Sequence, residues 1–102
     1  VKISGYRVDL REIESTSLTF ENIENSIAFK NKINEFIDEI WIGILLMNKE
    51  LKFNIFEFKQ FLREKLPQYM IPKRVKIIDE MILNKNGKID RKNIIIKLKT
   101  DE

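Results

Sequence analysis

Apolar and polar residues alternate from the first position, with Val1, Ile3, Tyr6 and Val8 flanking Ser4-Gly5, a pattern that predicts two short extended pieces joined by a tight bend. Asp9, with Glu12 three residues on, has capping-box spacing and opens a predicted helix near Leu10, whose apolar positions Leu10, Ile13 and Leu18 share one face. The run Ser15-Thr16-Ser17 is a weak helix former and blurs the end of that helix. Ile23, Ile27 and Phe29 stand among polar residues between Ile23 and Lys30, which suits a strand with one buried face, and 31–34 reads as a polar connection. From Phe36 to Met47 the chain is almost wholly apolar after Glu39. That composition predicts a central strand covered on both sides, with Trp41 as a core residue rather than a stacking platform for a ligand.

A turn over 48–54 ends on Asn54, a good helix cap with Glu57 at the capping-box position and Phe53 and Phe58 placed as a hydrophobic staple. Ile55, Phe58, Leu62 and Leu66, with Phe61 beside them, form an apolar stripe at helical spacing until Pro67 stops the helix. Tyr69-Met70-Ile71-Pro72 then leads into a short β-branched strand from Arg74 to Ile78. The order is hairpin, helix, strand, strand, helix, strand, loop, helix. Without a regular βαβ repeat, this predicts an α+β fold: a small mixed β-sheet with helices packed on one side, preceded by a short β-hairpin.

Composition narrows the class. At 102 residues, 43% hydrophobic and 34% charged, the chain suits one globular domain, yet it is small for an enzyme that must also hold a large substrate. With strand alternation running at Val1, a cut boundary is expected, and the piece reads as a fragment or lid. There is no cysteine for a disulfide or thiolate metal site and no histidine to act as general base, so chemistry would fall to lysine, carboxylates, hydroxyls or backbone groups. No apolar run has spanning length and no leader is visible, so the expectation is a cytoplasmic protein without a membrane partner. The net charge is +3, and its basic excess lies late, where Lys85, Lys88, Arg91, Lys92, Lys97 and Lys99 face Asp90 alone. Such a run suits an anionic partner, although a solvated face is the commoner reading. A nucleic-acid module would interleave aromatic residues with these cations, and none lies between Lys85 and Lys99.

The stretch with most chemical promise is Leu83 to Lys92, LNKNGKIDRK. Asn86-Gly87 permits a sharp reversal that lifts Lys88 to a tip, and Asp90 is placed to cap a final helix through Arg91, Lys92, Asn93 and the apolar run Ile94 to Ile96. A tip lysine between a turn and a capped helix has long reach and a fixed base. On spacing alone the commoner reading is a solvated residue of a hairpin turn.

Three segments taken together, VKISGYRVDLREIE, LPQYMIP and NGKIDRK, resemble in order and spacing three successive core motifs of the C-terminal subdomain of adenylate-forming enzymes. The resemblance is greatest to the amino-acid adenylation domains of nonribosomal peptide synthetases and to D-alanine–carrier-protein ligases, and it covers nearly the whole chain. Arg11 stands where the family usually has glycine, and Ser4 where a basic residue is common. The resemblance implies that residues 1–102 are a mobile lid belonging to a larger N-terminal domain that holds ATP, Mg2+ and the carboxylate substrate. Lys88, positioned by Gly87, would enter that site during adenylation to contact the carboxylate and the α-phosphate. After a rotation, the loop around Gly5 would face the site instead, with Lys2 and Arg7 near the phosphopantetheine arm of a peptidyl or acyl carrier protein. Tyr69 and Arg91 are assigned structural roles. The acid activated, the carrier and the oligomeric state are not legible. The alternatives are the lid of an acyl-CoA synthetase, a basic nucleic-acid-binding module, or a stand-alone interaction domain.

Overall fold

The computed structural model describes residues 1–100. Its elements follow the expected order: β1 (Lys2–Ile3), β2 (Tyr6–Arg7), α1 (Leu10–Ser17), β3 (Ile23–Lys32), β4 (Asp38–Leu46), α2 (Ile55–Lys65), a 3-10 turn at Gln68–Met70, β5 (Arg74–Ile77) and α3 (Arg91–Thr100). β1 and β2 form a two-stranded hairpin, and the main sheet runs β3-β4-β5, antiparallel between β3 and β4 and parallel between β4 and β5. The apolar run that reads as a central strand is central.

Helices cover both faces of this sheet, not one. On β4, Ile40, Ile42, Ile44 and Leu46 point into a core with Ile13 of α1 and with Phe58 and Leu62 of α2. Trp41 and Leu45 point the other way, joining Ile27, Phe29, Ile78 and, from α3, Ile94 and Leu98. The reason lies in the two-residue period of a strand: a continuous apolar run presents greasy side chains to both faces, and each needs a cover. Ile94 and Leu98, one helical turn apart, make α3 the second cover.

At Gly43 the sheet lies tight against Leu98 of α3. A Cβ built there would lie 2.5 Å from Leu98 Cδ1 and 3.0 Å from Ile78 Cδ1, so the glycine is required by space. Gly43→Ala is therefore expected to cost about 1–3 kcal/mol through overpacking, read as a lowered midpoint of denaturant unfolding with an unchanged slope.

Local chemistry explains most boundaries and corrects a few. Asn54 Oδ1 accepts from Glu57 N at 3.0 Å, and the Phe53 and Phe58 rings sit 5.3 Å apart, so the cap and staple both form. Asp9 also caps, but its carboxylate accepts from Arg11 N at 3.0 Å, and among the described residues no Glu12 side-chain bond returns to complete a capping box. In α1 the residue buried at the helix end is Ser17, and Leu18 is exposed. The Ser17 hydroxyl donates to Glu14 O at 2.7 Å and its oxygen pairs with the Ser26 hydroxyl at 2.8 Å, which is how a polar side chain sits fully buried. Ile55, at the start of the α2 stripe, is also exposed. β3 extends to Lys32 and β4 begins at Asp38, so Phe36 belongs to the connecting turn. Asn34 Oδ1 shapes that turn by accepting from Phe36 N and Ile37 N, at 2.8 and 2.9 Å.

Candidate functional site

The lysine loop is built by backbone and by one amide side chain. Leu83 and Ile89 form an antiparallel bridge, Asn84 N donates to Lys88 O at 2.7 Å, and Gly87 N donates to Asn84 O at 3.0 Å. Gly87 supplies the positive φ, +77°, whereas Asn86 stays on the negative side. The residue missed in sequence is Asn84. Its Oδ1 accepts from Asn86 N at 2.9 Å and from Lys88 N at 3.1 Å, tying the tip down from inside. The signal was present, since an asparagine two residues ahead of another turn residue is the spacing at which the side chain imitates a backbone turn.

The base of the loop is equally defined. Asp90 N donates to Ile82 O at 2.7 Å, and the Asp90 carboxylate caps α3 by accepting from Asn93 N at 3.2 Å and Asn93 Nδ2 at 2.7 Å. Lys88 itself is exposed, and among the described residues its ammonium makes no hydrogen bond or ion pair. A cation with a rigid backbone and an unengaged head is available to an anion brought from outside.

The second loop is the β1–β2 hairpin. Ser4 and Gly5 both take positive φ, +49° and +85°, the geometry of a two-residue turn that matches strand twist. Nothing lies within 4 Å of a Cβ built at Gly5, so its surface is open. Lys2 pairs with Arg7 across the strands, and both are exposed. Two like charges placed opposite each other repel, a cost that an anion at this face would relieve. The hairpin is fixed to the body by Tyr6, whose ring stacks on Tyr69 at 4.1 Å and 8°. The structural role assigned to Tyr69 is thereby given a partner.

An open groove of about 920 Å³ runs beside this hairpin, lined among others by Arg7, Glu12, Glu14, Tyr69 and Arg91. It brings Arg7 and Arg91 to one surface, whereas Lys2, Gly5, Gly87 and Lys88 do not line it. A smaller hollow of about 440 Å³ contains Lys59, Arg63 and Lys73. Burial, helped by the charges of Arg63 and Lys73, holds the Lys59 pKa below the usual lysine value. Its ammonium donates to Lys73 O at 2.9 Å, strapping α2 to the start of β5. Among the described residues no cluster of three or more acidic side chains stands ready to hold a metal ion. No described helix is long and apolar enough to cross a membrane.

No protein-family profile matches the chain. Curated sequences do. It is 41% identical over 92 residues to bacitracin synthase 1 of Bacillus licheniformis, covering 90% of this chain and 2% of that protein. It is 33% identical over 97 residues to the D-alanine–D-alanyl carrier protein ligase of Staphylococcus aureus strain JH9, covering 92% of this chain and 20% of that one. The chain thus spans a fifth or less of these relatives' length. Among solved structures, a four-domain nonribosomal peptide synthetase bound to AMP and glycine matches with a TM-score of 0.79 and 27% identity, over 90% of this chain and 7% of that one. By sequence and by fold, the chain is a homologue of one segment of nonribosomal peptide synthetase adenylation domains and D-alanine–carrier-protein ligases.

Proposed function

We propose that this chain is the C-terminal lid of an ATP-dependent ligase that activates a carboxylate, that of an amino acid, as an acyl-adenylate and passes it to the phosphopantetheine thiol of a carrier protein. The observation that carries the reading is Lys88: an exposed, unengaged ammonium on a loop braced by Asn84, Gly87 and the Asp90 cap. In the first half-reaction a carboxylate oxygen attacks the α-phosphorus of ATP, an O–P bond forms, and pyrophosphate leaves with the electron pair of the broken bond. Both reactants are anions. Lys88 would bridge them, opposing their repulsion and stabilising the charge that builds on the phosphoryl oxygens. ATP and Mg2+ would be held mainly by a larger N-terminal domain of the same polypeptide, with this chain supplying the cation.

In the second half-reaction the carrier's thiol, giving up its proton, attacks the adenylate carbonyl and AMP departs. The lid would by then have turned so that the Gly5 hairpin faces the site. An open glycine backbone lets a pantetheine arm pass closely, and the paired cations Lys2 and Arg7 suit its phosphate or an acidic carrier surface. A carrier thiol is favoured over coenzyme A by the terminal motif Asn86-Gly87-Lys88-Ile89-Asp90-Arg91 and by the likeness to a carrier-protein ligase. The test is to measure both half-reactions in the full-length enzyme with Lys88→Ala: pyrophosphate exchange should collapse while transfer from preformed adenylate persists. The isolated 102-residue chain is expected to show neither activity, and pyrophosphate exchange by it alone would overturn the assignment of the reactant sites to another domain.

A further inference from the structure

We infer that Glu14 and Arg91 form a positioning latch that fixes the Lys88 loop to the body of the lid, an inference that rests on the adenylation role proposed for Lys88. β3 is an edge strand, and at Ala28 its unpaired backbone faces outward. Glu14, in α1, takes the Ala28 N–H on Oε2 at 2.7 Å, and Arg91 Nη2 donates to Ala28 O at 2.9 Å and to the same Glu14 oxygen at 2.6 Å. One carboxylate and one guanidinium thus close a ring with both polar groups of a single edge residue. Glu14 is largely shielded from solvent, so the bonds are exchanged with water only at a cost, and Arg91 is half-exposed on the groove side.

The placement gives the latch its meaning. Arg91 is the first residue of α3, three positions after Lys88, and Glu14 lies in the helix that directly follows the Gly5 hairpin. The ring ties the start of α3, and with it the Lys88 loop, to α1 and one strand edge, whereas the Gly5 hairpin is held separately by the Tyr6–Tyr69 stack. A lysine delivered across a domain boundary depends on that tie, because a misplacement on the order of 1 Å in a reacting group costs about a hundredfold in rate.

The experiment measures both half-reactions and the amide exchange of peptide 83–92 in the full-length enzyme. Arg91→Ala is expected to lower the maximal rate of pyrophosphate exchange roughly ten- to a hundredfold with little change in substrate KM, to leave transfer from preformed adenylate nearly intact, and to speed amide exchange in 83–92. Arg91→Lys, which keeps a donor able to reach both oxygens, should restore most of the rate. Glu14→Gln should behave like Arg91→Ala. In a Lys88→Ala background Arg91→Ala should cause no further loss, since it acts through Lys88. An additive loss there, an equal fall in both half-reactions, or no rescue by lysine would overturn the latch. If Lys88→Ala leaves pyrophosphate exchange undiminished, the role of Lys88 is what fails, and amide exchange in 83–92 still reports separately whether Arg91 holds the loop.

Discussion

Replacing Lys88 by alanine is expected to slow carboxylate-dependent pyrophosphate exchange about thirty- to a thousandfold, while transfer from supplied adenylate to the carrier continues. The size follows from the worth of one charge-stabilising contact in a water-poor site, about 2–4 kcal/mol, at about 1.4 kcal/mol per tenfold. The selectivity follows from the geometry. Truncation at Cβ removes only an exposed, unengaged head, while the loop keeps its backbone bonds through Asn84 and the cap from Asp90. Stability should therefore hardly move, since surface substitutions away from caps and ion pairs stay within about 0.5 kcal/mol. Lys88→Arg separates charge from shape: the planar guanidinium keeps the cation but not the compact ammonium, so partial recovery is expected. Equal loss in both half-reactions would place the effect in folding.

Phe58→Ala is expected to have the largest effect on stability. Phe58 is fully buried, and its ring lies 5.3 Å from both Phe20 and Phe53 at the meeting of α2 with β4. Removing a buried phenylalanine costs about 3–5 kcal/mol, a large part of the roughly 5–15 kcal/mol that holds a domain folded. For a chain of this length the melting temperature should fall by more than about ten degrees. Phe56, two positions earlier and 69% exposed, is the control: its alanine variant should melt within about two degrees of the parent. In the full-length enzyme Phe58→Ala should depress both half-reactions together as temperature rises, a signature opposite to that of Lys88→Ala.

Much of the architecture could be read before any coordinates because the relevant forces are local. Asn54 with Phe53 and Phe58, Pro67 after Leu66, Asp90 before Arg91, and Ser4-Gly5 are choices in which a side chain acts on backbone within four residues. The same reach made the lysine loop visible as a loop. Its inner brace, Asn84, lies two residues ahead of the Asn86-Gly87 pair and acts through the same local reach. The capping box at Asp9 and the burial of Leu18 are not realised. Spacing permits those contacts, but the Asp9 carboxylate accepts from Arg11 N and the exposed Glu12 returns no bond among the described residues, while Ser26 of β3 draws Ser17 rather than Leu18 into the core.

From the residue order alone came the element succession, the exposed turn carrying Lys88, and the likeness to adenylate-forming enzymes, all encoded by contacts between near neighbours or by motif spacing. Packing between distant segments settled the rest: α3 on the opposite face of the sheet from α1 and α2, Gly43 beneath Leu98, Tyr6 stacked on Tyr69, and the ring of Glu14, Ala28 and Arg91. The physical reason is separation along the chain. Arg91 and Glu14 stand 77 residues apart, and no periodicity within either helix announces that an unpaired strand edge lies between them.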